Sequence, residues 1–203
     1  MIGAELSRQE EHLFAVLSGR RFLNMEGLSN EVPFFIYPYP PEHALDVAKA
    51  KKRIKTRLAT EKGIQVREVN LYDLTVEILK ERGDWDEVLE IEPSVDKAEF
   101  TEVLRSMLNP QQHLAPAIAA KIADGGFDIF FLTGIGEVFP YIRSHNVLNN
   151  LQSVVTGKPM LMFFPGRYAQ SDTLGSSLML FGRLKDDQYY RAKNILEIGR
   201  AHV

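Results

Sequence analysis

Cysteine is absent from this 203-residue chain. Its absence excludes disulfide frameworks, thiolate nucleophiles and cysteine-ligated zinc together, and it fits a reducing compartment, the cytoplasm. No apolar run approaches the roughly 20 residues that a bilayer-spanning helix requires, so no membrane span is expected. The opening stretch MIGAELSRQEEHLFAVLSG scatters acids among its apolar residues. It lacks a basic segment followed by an unbroken apolar core, so it does not read as a signal peptide. A large charge of either sign is also missing: the net charge is −3 and the pI about 6.0. No whole-molecule field would draw the chain to DNA, RNA or an anionic membrane, and direct nucleic-acid binding would need a local patch.

What is present is a hydrophobic fraction of 45%, enough to bury a full core over residues 1–203 as one domain. Leu6, Leu13, Phe14, Val16 and Leu17 recur at helical spacing over residues 4–18, with Gly19 as the expected C-cap. Val32 to Tyr37 is a continuous apolar run closed by Pro38, Pro40 and Pro41, as in a buried strand. A helix is predicted over Glu42 to Lys62, ended by Gly63. A strand follows over Ile64 to Asn70, and then a helix capped by Asn70 or Asp73 that ends near Gly83. Residues 84–126 are acidic and helical, punctuated by Pro93 and Pro110, and are longer than a minimal crossover; they read as a helical insertion. Then come a buried strand (FDIFFLTG), a polar helix (EVFPYIRSHNVLNNLQ), a second buried strand (KPMLMFFPG), a strand within Leu174 to Leu184, and a last amphipathic helix over Asp186 to Ile198. Asp186 and Asp187 would complement that helix's dipole. Near-continuous apolar strands alternating with helices predict a three-layer α/β fold. Its mainly parallel central sheet has about five strands, in a Rossmann-like or degenerate P-loop-like arrangement.

In such a sheet, ligands and partners dock where strands end and helices begin, which marks Thr133 to Gly136 and Pro165 to Tyr168. Thr133, Gly134 and Gly136, placed between a strand and the expected helix, form a candidate anion-binding turn. Yet neither Gly-x-x-x-x-Gly-Lys-[Ser/Thr] nor Gly-x-Gly-x-x-Gly is satisfied: Phe139 occupies the third glycine position, and Lys158 precedes a strand and is followed by proline. No cofactor is expected. Ser144 and His145 are helical neighbours that do not face each other, and the five histidines stand apart, so neither a nucleophile–base pair nor a metal site is expected. The basic run from Lys49 to Arg57 lacks interleaved aromatics and reads as a solvated helix face. Polar density instead singles out Arg143, His145, Asn149 and Asn150. A polar loop with Asn24, Glu26 and Asn30 enters the first strand, serving either recognition or local turn bonding. Interfaces favour arginine and aromatic anchors, which adds Tyr141, Arg167 and Tyr168 as partner-binding candidates.

RFLNMEGLSNEVPFFIYPY, VREVNLYDLTVEILKERG, FLTGIGEVFPYIRSHNVLNNLQ, KPMLMFFPGRY and LFGRLKDDQYYRA, in that order, resemble the BrxB family of bacterial BREX phage-defence systems. The resemblance spans about residues 20 to 192 and is most specific from Thr133 to Gln152; the ends and the helical insertion depart most from the pattern. It implies a cytoplasmic, non-enzymatic component of a multi-protein system that marks host DNA by methylation and blocks phage DNA replication. The implied partners are a PglZ-type phosphatase-like protein, a large AAA-type ATPase and, less directly, the adenine methyltransferase. No catalytic residues are implied. The alternatives from the residues themselves are a nucleotide- or phosphate-handling protein using the 133–136 turn and a nucleic-acid binder using the Lys49 to Arg57 face.

Overall fold

A computed structural model describes residues 2–26, 33–171, 175–186 and 192–199. Helices α1 (Ile2–Leu17) and α2 (Arg20–Leu23) precede strand β1 (Phe34–Tyr39). Helix α3 (Ala44–Lys62), strand β2 (Val66–Asn70) and helix α4 (Leu71–Arg82) follow. The insertion supplies α5 (Trp85–Ile91), α6 (Lys97–Met107) and α7 (Ala115–Ile122). After it come β3 (Ile129–Thr133), α8 (Ser144–Leu151), β4 (Met160–Ser171), β5 (Gly175–Leu180), β6 (Leu184–Asp186) and β7 (Lys193–Asn194). No helix among the described residues is long and apolar enough to cross a membrane.

The sheet runs β2-β3-β4-β1-β7, all parallel, with β5 antiparallel to the far half of β4 and β6 antiparallel to β5. Numbering the five parallel strands along the chain gives 5-1-4-3-2, which is not the 3-2-1-4-5-6 order of a dinucleotide fold. The chain leaves β1 toward one edge and reaches β7 on the other, so the topological switch lies at the β1–β4 seam, where Tyr39 pairs with Pro165.

Strand alternation builds the three layers. Ile36, Phe130, Leu132, Met162 and Phe164 face one side with Leu74 and Ile78 of α4, Ile118 of α7 and Leu148 of α8. Phe35, Tyr37, Phe131, Leu161 and Phe163 face the other with Leu13 and Leu17 of α1 and Ile54 and Leu58 of α3. Each such fully buried side chain contributes about 1.5–3 kcal/mol relative to exposure. The insertion joins the first of these cores through Val88, Leu108 and Leu114; Trp85 packs on its edge with the Lys80 ammonium 5.1 Å from its ring.

Several expectations are corrected. The predicted final helix does not form over its described residues: Leu184–Asp186 is a strand, and Lys193–Asn194 adds to the free edge of β1 because Phe35 and Ile36 offer unpaired backbone there. Asp186 therefore opens no helix; Asp187, Tyr189 and Tyr190 lie outside the described residues. The polar helix over EVFPYIRSHNVLNNLQ is helical only from Ser144. Gly19 is not a left-handed C-cap but the residue from which α2 starts, at φ −76°. Pro165 to Tyr168 is no turn: β4 passes straight through it and exchanges a parallel partner, β1, for an antiparallel one, β5.

Candidate functional site

At the β1–β4 seam the carboxyl ends of the strands would present a ligand site, and the residues there decide what fits. Beyond β1 the chain runs through Pro40 into a short 3-10 turn, Pro41–His43, before α3. Pro38, Pro40 and Pro41 have no N–H, so this loop is poor in the amide donors that cradle a phosphate. Under α1, a cavity of about 160 Å³ touches Gln9, Tyr37, Tyr39 and His43. The Tyr37 hydroxyl donates to Gln9 Oε1 at 2.8 Å. Burial, and then Glu137, pushes the Tyr39 phenol up to about 12.

The glycine turn after β3 is filled by protein. Thr133 is buried and its hydroxyl donates to the Glu68 carboxylate at 3.3 Å. Gly134 has φ +77°, and a Cβ there would strike Asn70 Oδ1, which is already capping α4 through Tyr72 N and Asp73 N. A Cβ on Gly136 would lie 2.8 Å from Pro165 Cγ and 2.9 Å from Phe181 Cε1. No helix opens here. Ile135, Val138 and Ile142 instead turn inward and seal the core.

Hairpin β5–β6 folds over this plug. At Gly166 the strands approach so closely that a Cβ would collide with the Met179 carbonyl. Arg167 is exposed opposite Met179, whereas Tyr168 turns toward the core and its hydroxyl donates to the Ala192 carbonyl at 2.9 Å, tethering the approach to β7. At the hairpin tip Phe181 stacks edge-on against Phe139, 6.4 Å between centroids. Phe181, Leu184 and Tyr72 remain 38%, 42% and 45% exposed.

Tyr141, Arg143 and His145 meet beside this rim. With Arg105, Asn109 and Asn146 they line a cavity of about 390 Å³ between the insertion and the start of α8. Arg105 forms an ion pair with Glu102 and donates to the Pro140 carbonyl at 3.2 Å. Asn109 Oδ1 accepts the N–H groups of Gln111 and Gln112, which leaves its amide NH₂ as the donor end. Burial, opposed by a hydrogen bond with Thr75, pushes the Tyr141 phenol upward. Arg143 and Asn146 are exposed and His145 half-buried, while Ser144 beside them is buried.

The remaining candidates lie elsewhere. Asn149 and Asn150 are at the far end of α8, where Asn150 Nδ2 donates to the Asn146 carbonyl at 2.7 Å, a local helix bond. Asn24 and Glu26 precede β1, at the opposite edge of the sheet, and bond to each other at 3.1 Å; Glu26 lines a cavity of about 580 Å³ with Phe22, Phe35 and Lys193. Asn30 lies outside the described residues. In the basic run of α3, Lys49, Lys52 and Arg53 are exposed, as a solvated face requires, but the run is also paired: Arg53 and Arg57 with Glu10 and Glu11 of α1, and Lys51 and Lys55 with Glu68 of β2. Arg105 and Asn109 carry no local sequence signal, because only the folding of the insertion against the rim brings them to Tyr141. Phe181 and Leu184 read as strand positions and gave no sign of their exposure.

The family described as BREX protein BrxB matches residues 67–195. A BREX protein BrxB of Bacillus cereus (strain H3081.97) is 32% identical over 195 residues, covering 95% of this chain and 98% of that one. A BREX protein BrxB of Escherichia coli O9:H4 (strain HS) is 31% identical over 192 residues, covering 95% of this chain and 92% of that one. No solved structure matches significantly.

Proposed function

The chain belongs to the BrxB family of BREX proteins, and from that premise we propose that it serves phage defence as a non-enzymatic assembly subunit. It binds other proteins of its own BREX system: a PglZ-type phosphatase-like protein, the AAA-type ATPase, or both. The methyltransferase is reached less directly.

One observation carries this reading. The seam at which a sheet of this order would hold a nucleotide is occupied by the protein itself, with prolines in the loop after β1 and Phe181 and Pro165 pressed onto Gly136. The same plug leaves Phe181 and Leu184 outward, with Arg143 sharing a cleft with Leu184 and Arg167 against the hairpin tip at Gly182. Aromatic and arginine side chains on a rigid rim suit the anchoring of another protein. Cytoplasmic residence follows from the same role.

The test is affinity capture from cells carrying the complete defence operon. Wild-type chain is expected to retain the PglZ-type protein or the ATPase, and an Arg143→Ala, Arg167→Ala variant to retain less. Undiminished capture by that variant removes these anchors; no capture by the wild type removes the assembly role.

A further inference from the structure

We infer that the cavity between the insertion and α8 is a receptor for a single carboxylate side chain of a partner protein, flanked in that partner by neutral or basic residues, a reading that rests on the assembly role and specifies its chemistry. Two guanidinium groups, Arg105 and Arg143, and the imidazole of His145 line one space of about 390 Å³, together with Asn109, Asn146 and Tyr141. Arg105 comes from a different element than the others, so the cationic groups converge only in the folded chain. The two named bonds of Arg105 use one N–H each of Nη1 and Nη2, and a guanidinium carries five. Asn109, its oxygen committed to the turn, presents its NH₂. Planar arginine donors match a carboxylate in a bidentate fashion, and Tyr141 supplies an amphipathic wall beside them.

The surroundings select a peptide over a nucleic acid. Between residues 84 and 107 the insertion carries eight acids (84, 86, 87, 90, 92, 96, 99 and 102) against Lys97 and Arg105. A continuous phosphate backbone leaving the cavity would run along that acidic belt and be repelled. A polypeptide that places one carboxylate in the cavity and continues with neutral or basic residues would not.

The experiment is NMR titration of the isotope-labelled full chain with three probes: an end-blocked serine-rich peptide with one central glutamate, its glutamine counterpart, and a single-stranded oligothymidylate. The glutamate peptide is expected to give saturable shifts at the amides of residues 109–112 and 143–146, and the glutamine peptide none. An Arg105→Gln, Arg143→Gln variant whose other resonances are unmoved should bind the glutamate peptide at least about tenfold more weakly, since two charge-assisted donors are gone. Should that variant lose its native spectrum, the single Arg105→Lys change, which keeps the charge and loses the fork, should still weaken binding. Absence of saturable shifts, equal shifts from the glutamine peptide, or stronger shifts from the oligothymidylate would overturn the inference. Capture separates the two readings. If the double arginine variant retains its BREX partners as well as wild type does, the cavity has no such role and the assembly role survives. If wild type binds the peptide and captures nothing, the cavity stands and the assembly role falls.

Discussion

Gly136 and Phe181 lie so close that a methyl group on the glycine would sit 2.9 Å from the ring edge. This contact joins the turn after β3 to the tip of the β5–β6 hairpin, and it closes the place where a ligand would reach the strand ends. Gly136→Ala is therefore expected to destabilise the fold by about 1–3 kcal/mol, the usual cost of overpacking. Phe181→Ala, made alone, removes a half-exposed ring and should cost less. Made together with Gly136→Ala it should recover part of the loss, leaving the remainder to Pro165 at 2.8 Å. Urea unfolding of the two single variants and the double variant checks this, and strict additivity would mean that the ring and the glycine do not contend for one space.

A second expectation concerns ligands of the seam. With no N–H at Pro40 or Pro41 and none of the Walker lysine pattern at Gly134 to Gly136, neither loop can supply the array of donors that grips a triphosphate. Calorimetric titration with ATP, GTP, NAD and cyclic nucleotides is expected to give flat isotherms. A saturable heat that disappears in a Gly136→Val variant would return the chain to the nucleotide-handling class.

Much of the layer structure was legible because local rules and tertiary needs agree. Gly63 and Gly83 stop α3 and α4 in left-handed conformations, as their positions suggested, and of the two caps open to α4, Asn70 and Asp73, it is Asn70 that accepts the first N–H groups. Ile129 to Thr133 is buried throughout because the strand is covered on both faces. Legibility failed where long-range pairing overrides local pattern. Pro38 and Pro165 read as strand terminators, yet both lie within strands, Pro38 opposite Phe164 and Pro165 opposite Tyr39. Residues 193–194 fall inside the run that reads as an amphipathic helix but join the open edge of β1. The cavity at Arg105 was invisible for the same reason: its two walls are separated by more than thirty residues, and nothing within either wall announces the other.

Glu68 provides a pH-dependent prediction. Burial alone would raise its pKa, but hydrogen bonds and charge from Lys51 and Lys55 outweigh burial and hold it below the ordinary 4.5. A carboxyl depressed in the folded state contributes stability that is fully present above its unfolded pKa and is lost as pH falls through the folded value. Glu68→Gln should thus cost about 1–3 kcal/mol at neutral pH, below the value for a fully buried pair because Lys55 is partly exposed. The gap between wild type and variant should close on acidification below the usual glutamate range. A gap that stayed constant to low pH would mean that the loss is one of packing and not of charge.

The pairs between α1 and α3 lead to an expectation about local motion and not about global stability. Arg53 reaches Glu10 through two hydrogen bonds, at 2.9 and 2.6 Å, and Arg57 reaches Glu11 at 2.6 Å while its guanidinium lies 3.9 Å from the Phe14 ring. Exposed pairs of this kind are screened by salt and contribute little to the unfolding free energy. Their consequence is positional: they fix the register in which Leu13 and Leu17 of α1 enter the core against Ile54 and Leu58. Reversing both charges, Arg53→Glu with Arg57→Glu, should raise amide hydrogen exchange across α1 while leaving β3 and β4 protected, and more so at low ionic strength. Restoring opposite charge with Glu10→Arg and Glu11→Arg should bring protection back. If α1 exchanges no faster in the reversed variant, its seat is set by the apolar contacts alone, and the basic run of α3 has no part in holding it.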